Sequence, residues 1–412
     1  MVLTADPRPR SARAVVAPSG RKDSVLWRLD WLLLAVVAAL VALGTLLVWS
    51  ATARRSDLTG GVPTAFATKQ LLNVAIGVLL AVVVASTDHR WVRIWTPLVY
   101  LGSLAGLVAV LVPGVGQVIN GSQSWLSAGG LSLQPSELAK LAVIAAIALL
   151  VAEKSEGSKA GDKVRDVDVV QALVLAAIPA ALILMQPDLG TLMVLGAVTF
   201  GVVALAGAPR RWLVGLLVMA VGGAVLAVKL HALAGYQLDR FAAFTNPGLD
   251  PQGAGYNTTQ ARIAIGNGGL FGQGLFDGSQ TQSGFVPAQH TDFVFTVAGE
   301  ELGLVGAGAI IVAFGLLLLR ALRIAAHAQD MFGRVAAGGI ACWFGFQAFQ
   351  NIGMCLGIMP VTGVPLPLVS YGGTSMFAAL MAVGLLQNIH LRTDHSFVLG
   401  AAVRSRVARS RW

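Results

Sequence analysis

Apolar stretches about as long as a bilayer core is thick recur along this chain, and few folds tolerate that. A helix needs about 20 such residues to cross the hydrocarbon. Ten runs fall near 31–51, 69–87, 94–113, 137–153, 168–185, 189–208, 211–234, 293–319, 334–358 and 370–391. Inside a bilayer the backbone must satisfy its own hydrogen bonds, so continuous runs predict helices. The expected fold is all-α: a polytopic integral membrane protein with ten transmembrane helices. A long extracytoplasmic loop, 235–292, is expected between helices 7 and 8. Charged residues are 12% of the chain, against about 25% in soluble domains, which excludes a soluble globular fold. Trp27, Trp31, Trp49, Trp91, Trp95 and Trp212 lie near run ends, where interfacial aromatics belong. No small-residue cleavage site follows the first run, so it reads as a span rather than a signal peptide.

Charge orients the spans. Segments 1–30, 88–93, 154–167, 209–211, 320–334 and 392–412 carry 22 of the 29 Lys and Arg residues. Arg54, Arg55, Lys69, Arg240 and Arg262 fall on the opposite side. By the positive-inside rule both termini are cytoplasmic. The chain divides into a basic tail (1–30), a membrane domain (31–393) and a second basic tail (394–412). Anionic membrane lipid attracts such tails by about 1 kcal/mol per charge near the surface. The net charge of +9 is spread over loops and implies no nucleic acid. Cys342 and Cys355 share one run and frame neither a disulfide nor a metal site.

Chemistry is expected on the outer side, in segments 114–136, 235–292 and 359–373. The sharpest signal is Gln289-His290-Thr291-Asp292-Phe293, which ends the longest loop. A carboxylate at the lipid edge is costly without a task, although Asp292 also suits a helix cap. Glu137 and Lys140, three apart, share a helix face as an ion pair or an anion site. Asp188 sits in a tight turn and either caps a helix or lines a cavity. Glu300 and Glu301 lie deeper, lining a cavity or pairing with a helix. His290 reads equally as an interfacial residue and Trp125 as an interfacial anchor.

Six segments in order resemble one family. They are Gln134-Pro135-Ser136-Glu137-Leu138-Ala139-Lys140-Leu141, Gln186-Pro187-Asp188-Leu189-Gly190-Thr191, Gly268-Gly269-Leu270-Phe271-Gly272, His290-Thr291-Asp292-Phe293, Gly299-Glu300-Glu301-Leu302-Gly303 and Ser370-Tyr371-Gly372-Gly373-Thr374-Ser375. From about 31 to 393 the chain resembles the SEDS proteins (shape, elongation, division and sporulation). Segments 255–266, 278–282 and 360–367 look more like RodA, the elongation member, than FtsW, the division member.

The resemblance implies a peptidoglycan glycosyltransferase of the bacterial cytoplasmic membrane. It would polymerise lipid II into glycan strands by inverting transfer at an extracytoplasmic site. Asp292 matches the family's essential aspartate, the expected general base. Lys140, Arg240 and Arg262, or a divalent cation such as Mg or Mn, are candidates to hold the leaving diphosphate. Trp125 is a candidate to stack on a sugar; Glu137, His290, Asp188 and Glu300 are further substrate-site candidates. Implied partners are lipid II, the growing strand, a class B penicillin-binding protein transpeptidase and other elongation-complex proteins. A lipid II flippase, an FtsW-type division polymerase and a structural scaffold are the rivals. The polar groups concentrate on the outer side, which favours the polymerase over a flippase.

Overall fold

The structure is a computed structural model describing residues 25–119, 122–128, 131–156, 164–229, 240, 244 and 253–409. The first tail through residue 24, and most of 230–252, lie outside the described residues. A short 3-10 turn, Val25–Arg28, precedes α1 (Trp31–Ala53), α2 (Ser56–Thr59), α3 (Ala65–Ser86) and α4 (His89–Leu111). Next come α5 (Pro135–Glu156), α6 (Asp166–Met185), α7 (Leu189–Leu205) and α8 (Arg210–Lys229). After the long loop come α9 (Ala254–Asn267), α10 (Ser279–Ser283), α11 (Val294–Glu301), α12 (Gly303–His327), α13 (Met331–Leu356) and α14 (Gly373–Arg409). The last helix runs past the final apolar run into the expected second tail.

Among the described residues, seven helical segments are long and apolar enough to cross a membrane. They are α1, α3, α4, α5, α6, α12 and Gly373–Thr393 of α14. Helix α7 is apolar but shorter. Helices α8 and α13 coincide with the two remaining predicted runs; α13 carries Arg334, Gln347, Gln350 and Asn351.

Caps mark where helices begin. Asp30 accepts from Leu33 N at 3.0 Å, and Arg320 grips its carboxylate at 2.6 Å. Asp330 accepts from Gly333 N at 3.0 Å, opening α13. Helix α13 ends at Gly357, whose φ of +76° suits a glycine cap.

Burial sorts the helices into centre and rim. In α5 and the first part of α14, 83% of the apolar window is buried, against 22% in α3 and 28% in α4. Helix α13 packs against α5, α7 and α12 and buries most of its length. Small residues permit the closest approaches. A side chain at Gly339 of α13 would meet Ile144 and Val202 side chains at 2.8 Å. Rim helices turn Leu71, Leu79, Val82, Leu98 and Leu101 outward, as lipid-facing surfaces do.

Two expectations need correction. The fold is mostly helical but not all-α. Gly116–Ile119, Ser122–Ala128 and Leu131–Leu133 form β1, β2 and β3, an antiparallel sheet in that order. Gln117 pairs with Trp125 and Leu126 with Leu133. β1 and β3 have only four and three residues, and β2, Ser122-Gln123-Ser124-Trp125-Leu126-Ser127-Ala128, shows no apolar–polar alternation.

The run read as 293–319 is also broken, between α11 and α12. Gly303 stands there at φ +68°, a conformation only glycine adopts readily. The loop 269–274 occupies the break. Leu304 N and Val305 N donate to Gly269 O and Leu270 O at 2.9 and 3.1 Å. Gln273 N and Gly274 N donate to Glu300 O and Glu301 O, each at 3.0 Å. Polar groups freed at the break are therefore satisfied by protein.

Candidate active site

The site is built where three irregular segments meet: the turn 288–293, the turn before α7, and segment 360–367. In the first, Thr291 N and Asp292 N converge on the Ala288 carbonyl at 3.2 and 3.0 Å. Ala288 itself sits at φ +49°, an uncommon conformation for a residue with a Cβ. This tight turn leaves Asp292 half-buried. Burial pushes the Asp292 carboxyl up to about 6, a hydrogen bond from Thr291 and the Arg240 charge pull it down, and Asp188 pushes it up.

Asp188 caps α7. Its carboxylate accepts from Thr191 N at 2.9 Å and Thr191 Oγ1 at 2.8 Å. Gln134 Nε2 adds a third contact at 3.3 Å. Burial raises the Asp188 carboxyl above its ordinary range; the Thr191 bonds and the Lys140 charge oppose this.

Glu137 and Lys140 form an ion pair at 2.6 Å, both almost wholly buried. Lys140 Nζ also donates to Gln347 Oε1 at 2.7 Å and lies 5.2 Å from the Trp343 ring centroid. Trp343 Nε1 donates to the same Gln347 oxygen at 2.6 Å. With its oxygen fixed twice, Gln347 aims its nitrogen at Pro365 O, 2.8 Å away. Lys140 thus reaches segment 360–367 through Gln347.

The other candidates separate. His290 packs edge-on against Phe66 at 5.0 Å and beside Tyr371 at 5.8 Å. Burial, then the Arg55 charge, lower its imidazole to about 4, so the ring is neutral at ordinary pH. Arg240 acts on Asp292 through its charge. Arg262 lies exposed on α9, beside Gly357 at the end of α13. Trp125 is half-buried on β2. Its sheet is tied to the turn before α7, where Ser122 Oγ donates to Gln186 O at 2.7 Å.

Glu300 faces elsewhere. It accepts from Gln280 N at 2.7 Å, Thr281 N at 2.8 Å, Thr281 Oγ1 at 2.7 Å and Ser279 Oγ at 3.3 Å. It holds α10 in place.

Three further neighbours of this cluster lie outside the candidates read from the sequence: Gln347, Gln350 and Asn351, all fully buried on α13. Gln350 Nε2 donates to Thr362 Oγ1 at 2.9 Å. Asn351 Nδ2 donates to Asp292 O at 2.7 Å and Val364 O at 2.8 Å. The signal was present. Carboxamides at i, i+3 and i+4 form one polar face within an otherwise apolar run.

Comparison with known proteins then places the chain. Residues 30–395 match the family model of the FtsW, RodA and SpoVE cell cycle proteins. The chain belongs to this family. It is 38% identical over 362 residues to peptidoglycan glycosyltransferase MrdB of Escherichia coli K12, covering 88% of this chain and 93% of that one. It is 38% identical over 360 residues to stage V sporulation protein E of Bacillus subtilis, covering 87% and 96%. A solved chain from a peptidoglycan synthase complex, described as coordinating polymerization and crosslinking, superposes with a TM-score of 0.71. That match has 34% identity and covers 88% of this chain and 97% of that one. The SEDS resemblance of the six motifs is thereby borne out.

Proposed function

We propose that this chain is a peptidoglycan glycosyltransferase that polymerises lipid II, with Asp292 as general base. The observation that carries the reading is the family match over residues 30–395, with Asp292 half-buried in the turn 288–293 and pushed up to about 6 by burial. A base whose pKa lies near the working pH is mostly ionised yet still takes up a proton. Family membership and the name of MrdB support the reaction class.

In the reaction, the 4-hydroxyl of an acceptor GlcNAc attacks the anomeric carbon of a donor MurNAc. Asp292 receives the hydroxyl proton as the new C–O bond forms. The bond from that carbon to the diphosphate breaks with inversion, and undecaprenyl diphosphate leaves. Arg240 and exposed Arg262 are placed in the scheme as counter-charges to the leaving group. Lys140, sealed beneath the site, acts through Gln347 and through its charge on Asp188. Trp125 offers a face for a sugar.

Among the described residues no three His, Cys, Asp or Glu side chains converge. That donor set makes no protein cage for Mg or Mn.

The topology that accompanies this reading has ten spans, cytoplasmic termini and an outer site. It is supported by the seven apolar helices and the charge bias of the loops. A class B penicillin-binding protein is the proposed partner, consistent with the synthase-complex neighbour. An elongation role rests on the RodA-like segments. Identity of 40% to a probable FtsW glycosyltransferase of Mycobacterium tuberculosis, beside 38% to MrdB, keeps a division-type role as the second reading.

The test is lipid II polymerisation by the purified chain with its transpeptidase partner, comparing native with Asp292→Ala. Strands from the native chain and none from an equally folded variant are expected. Undiminished synthesis by the variant would remove Asp292 as base. Transport of lipid II across liposomes without polymerisation would favour a flippase instead.

A further inference from the structure

A carboxamide buried in a membrane helix must find partners for two hydrogens. Asn351 is wholly buried, and its nitrogen serves two backbone carbonyls on two different segments. One is Asp292 O, at 2.7 Å; the other is Val364 O, at 2.8 Å. These segments also meet at the carboxylate. A side chain at Gly363 would lie 3.4 Å from Asp292 Oδ2, and Gly363 stands at φ +70°. Segment 360–367 therefore forms a wall at van der Waals distance from the Asp292 carboxylate, and the positive φ of Gly363 is what favours glycine there.

Neither segment is a helix or strand at the point of contact. No ladder of backbone bonds sets their register. The turn 288–293 is held internally by amides converging on Ala288 O. Segment 360–367 is held to α13 by Gln347 and Gln350. Of the three carboxamides on that face of α13, Asn351 bonds to both segments. We infer that Asn351 is a positioning residue, the fork that sets the Asp292 carboxylate against the Gly363 wall.

The inference rests on the glycosyltransferase reading above. A general base works only within hydrogen-bond reach of its proton, and a misplacement of about 1 Å can cost about 10²-fold in rate. If Asn351 merely satisfied buried carbonyls, its loss would lower stability and leave the rate per folded molecule intact.

Asn388 supplies the control. It is also buried, on α14, and its two hydrogens are shared among three carbonyls: Val84 at 2.9 Å, Ala85 at 3.2 Å and Thr87 at 2.6 Å. Those lie where α3 ends, on the side of Asp30 and Asp88 rather than of Asp292.

The experiment measures lipid II polymerisation with the transpeptidase partner across substrate concentration and pH. It compares native, Asn351→Leu, Asn351→Ser and Asn388→Leu, each normalised to folded protein. Expected for Asn351→Leu is a fall in kcat of about 10²-fold with KM within about threefold, and a displaced acid limb. Asn388→Leu should lose thermal stability but keep kcat and the limb. A native-like kcat in Asn351→Leu overturns the inference, as does an equal kcat loss in Asn388→Leu. If Asn351→Leu does not fold, Asn351→Ser decides, because it keeps one donor. A loss of at least about tenfold supports positioning, and native-like kcat overturns it. A native chain that makes no strands fails the function reading before any substitution; an active native chain beside an active Asn351→Leu fails this inference alone.

Discussion

Glu300, in the last turn of α11, and Asp292, just before its N-cap, are carboxylates in opposite circumstances. Glu300 is fully buried and accepts hydrogen bonds from two backbone amides and two hydroxyls. Asp292 is half-buried, hydrogen-bonded to Thr291, with Arg240 acting at longer range. Four donors on the segment 279–281 tie Glu300 to the structure. A carboxylate raised by burial and only partly compensated is left able to take up a proton. One helix thus separates a carboxylate that shapes the protein from one suited to chemistry.

The largest expected effect separates them by kind. Asp292→Ala should cost about 10²–10⁴-fold in polymerisation rate while the unfolding temperature stays near native, because little depends on its side chain for packing. Glu300→Ala should do the reverse. It strands several buried donors, each costing about 1–3 kcal/mol, so thermal unfolding in detergent should show a loss of about 3 kcal/mol or more. The rate per folded molecule should fall less than with Asp292→Ala. A Glu300 variant that keeps its stability but loses all turnover would abolish the distinction.

The next effect sharpens it. The Asp292 base must be ionised, and its carboxyl is raised to about 6. Activity should therefore climb with pH through about 6 and level off above it. Below that limb kcat should drop about tenfold per pH unit, as expected for one essential base. An acid limb near 4, the range of an unperturbed carboxylate, would mean that burial does not set the poise of this site.

What was legible in the sequence follows the same divide between local and distant. The apolar runs and helix caps are local, so α1, α3, α6 and α7 fall close to their predicted ends. Asp292, Glu137, Lys140 and Asp188 stand out as candidates because charge near lipid is conspicuous. The task of Glu300 was not legible, because its donors come from residues 279–281, brought over it by the chain's path. The carboxamides of α13 were visible as a polar face, but their partners are carbonyls of 292, 364 and 365, to which no side-chain pattern points. The break at Gly303 was hidden by unbroken hydropathy, since the loop that fills it arrives from 269–274.

The smallest effect tests which group titrates. His290 sits two residues from Asp292, and an imidazole would ordinarily be the first suspect for a limb near 6. Here burial, then the Arg55 charge, hold it at about 4, so it is already neutral through the range in question. Its ring behaves as an aromatic filler between Phe66 and Tyr371. His290→Phe keeps a ring of similar shape in that cluster. Stability should change by no more than about 1 kcal/mol, the scale of one aromatic pair, and the acid limb should not move. A limb that vanishes in His290→Phe would transfer the titration to the imidazole. One that stays in His290→Phe while activity is abolished in Asp292→Ala leaves the carboxylate as the group that takes the proton.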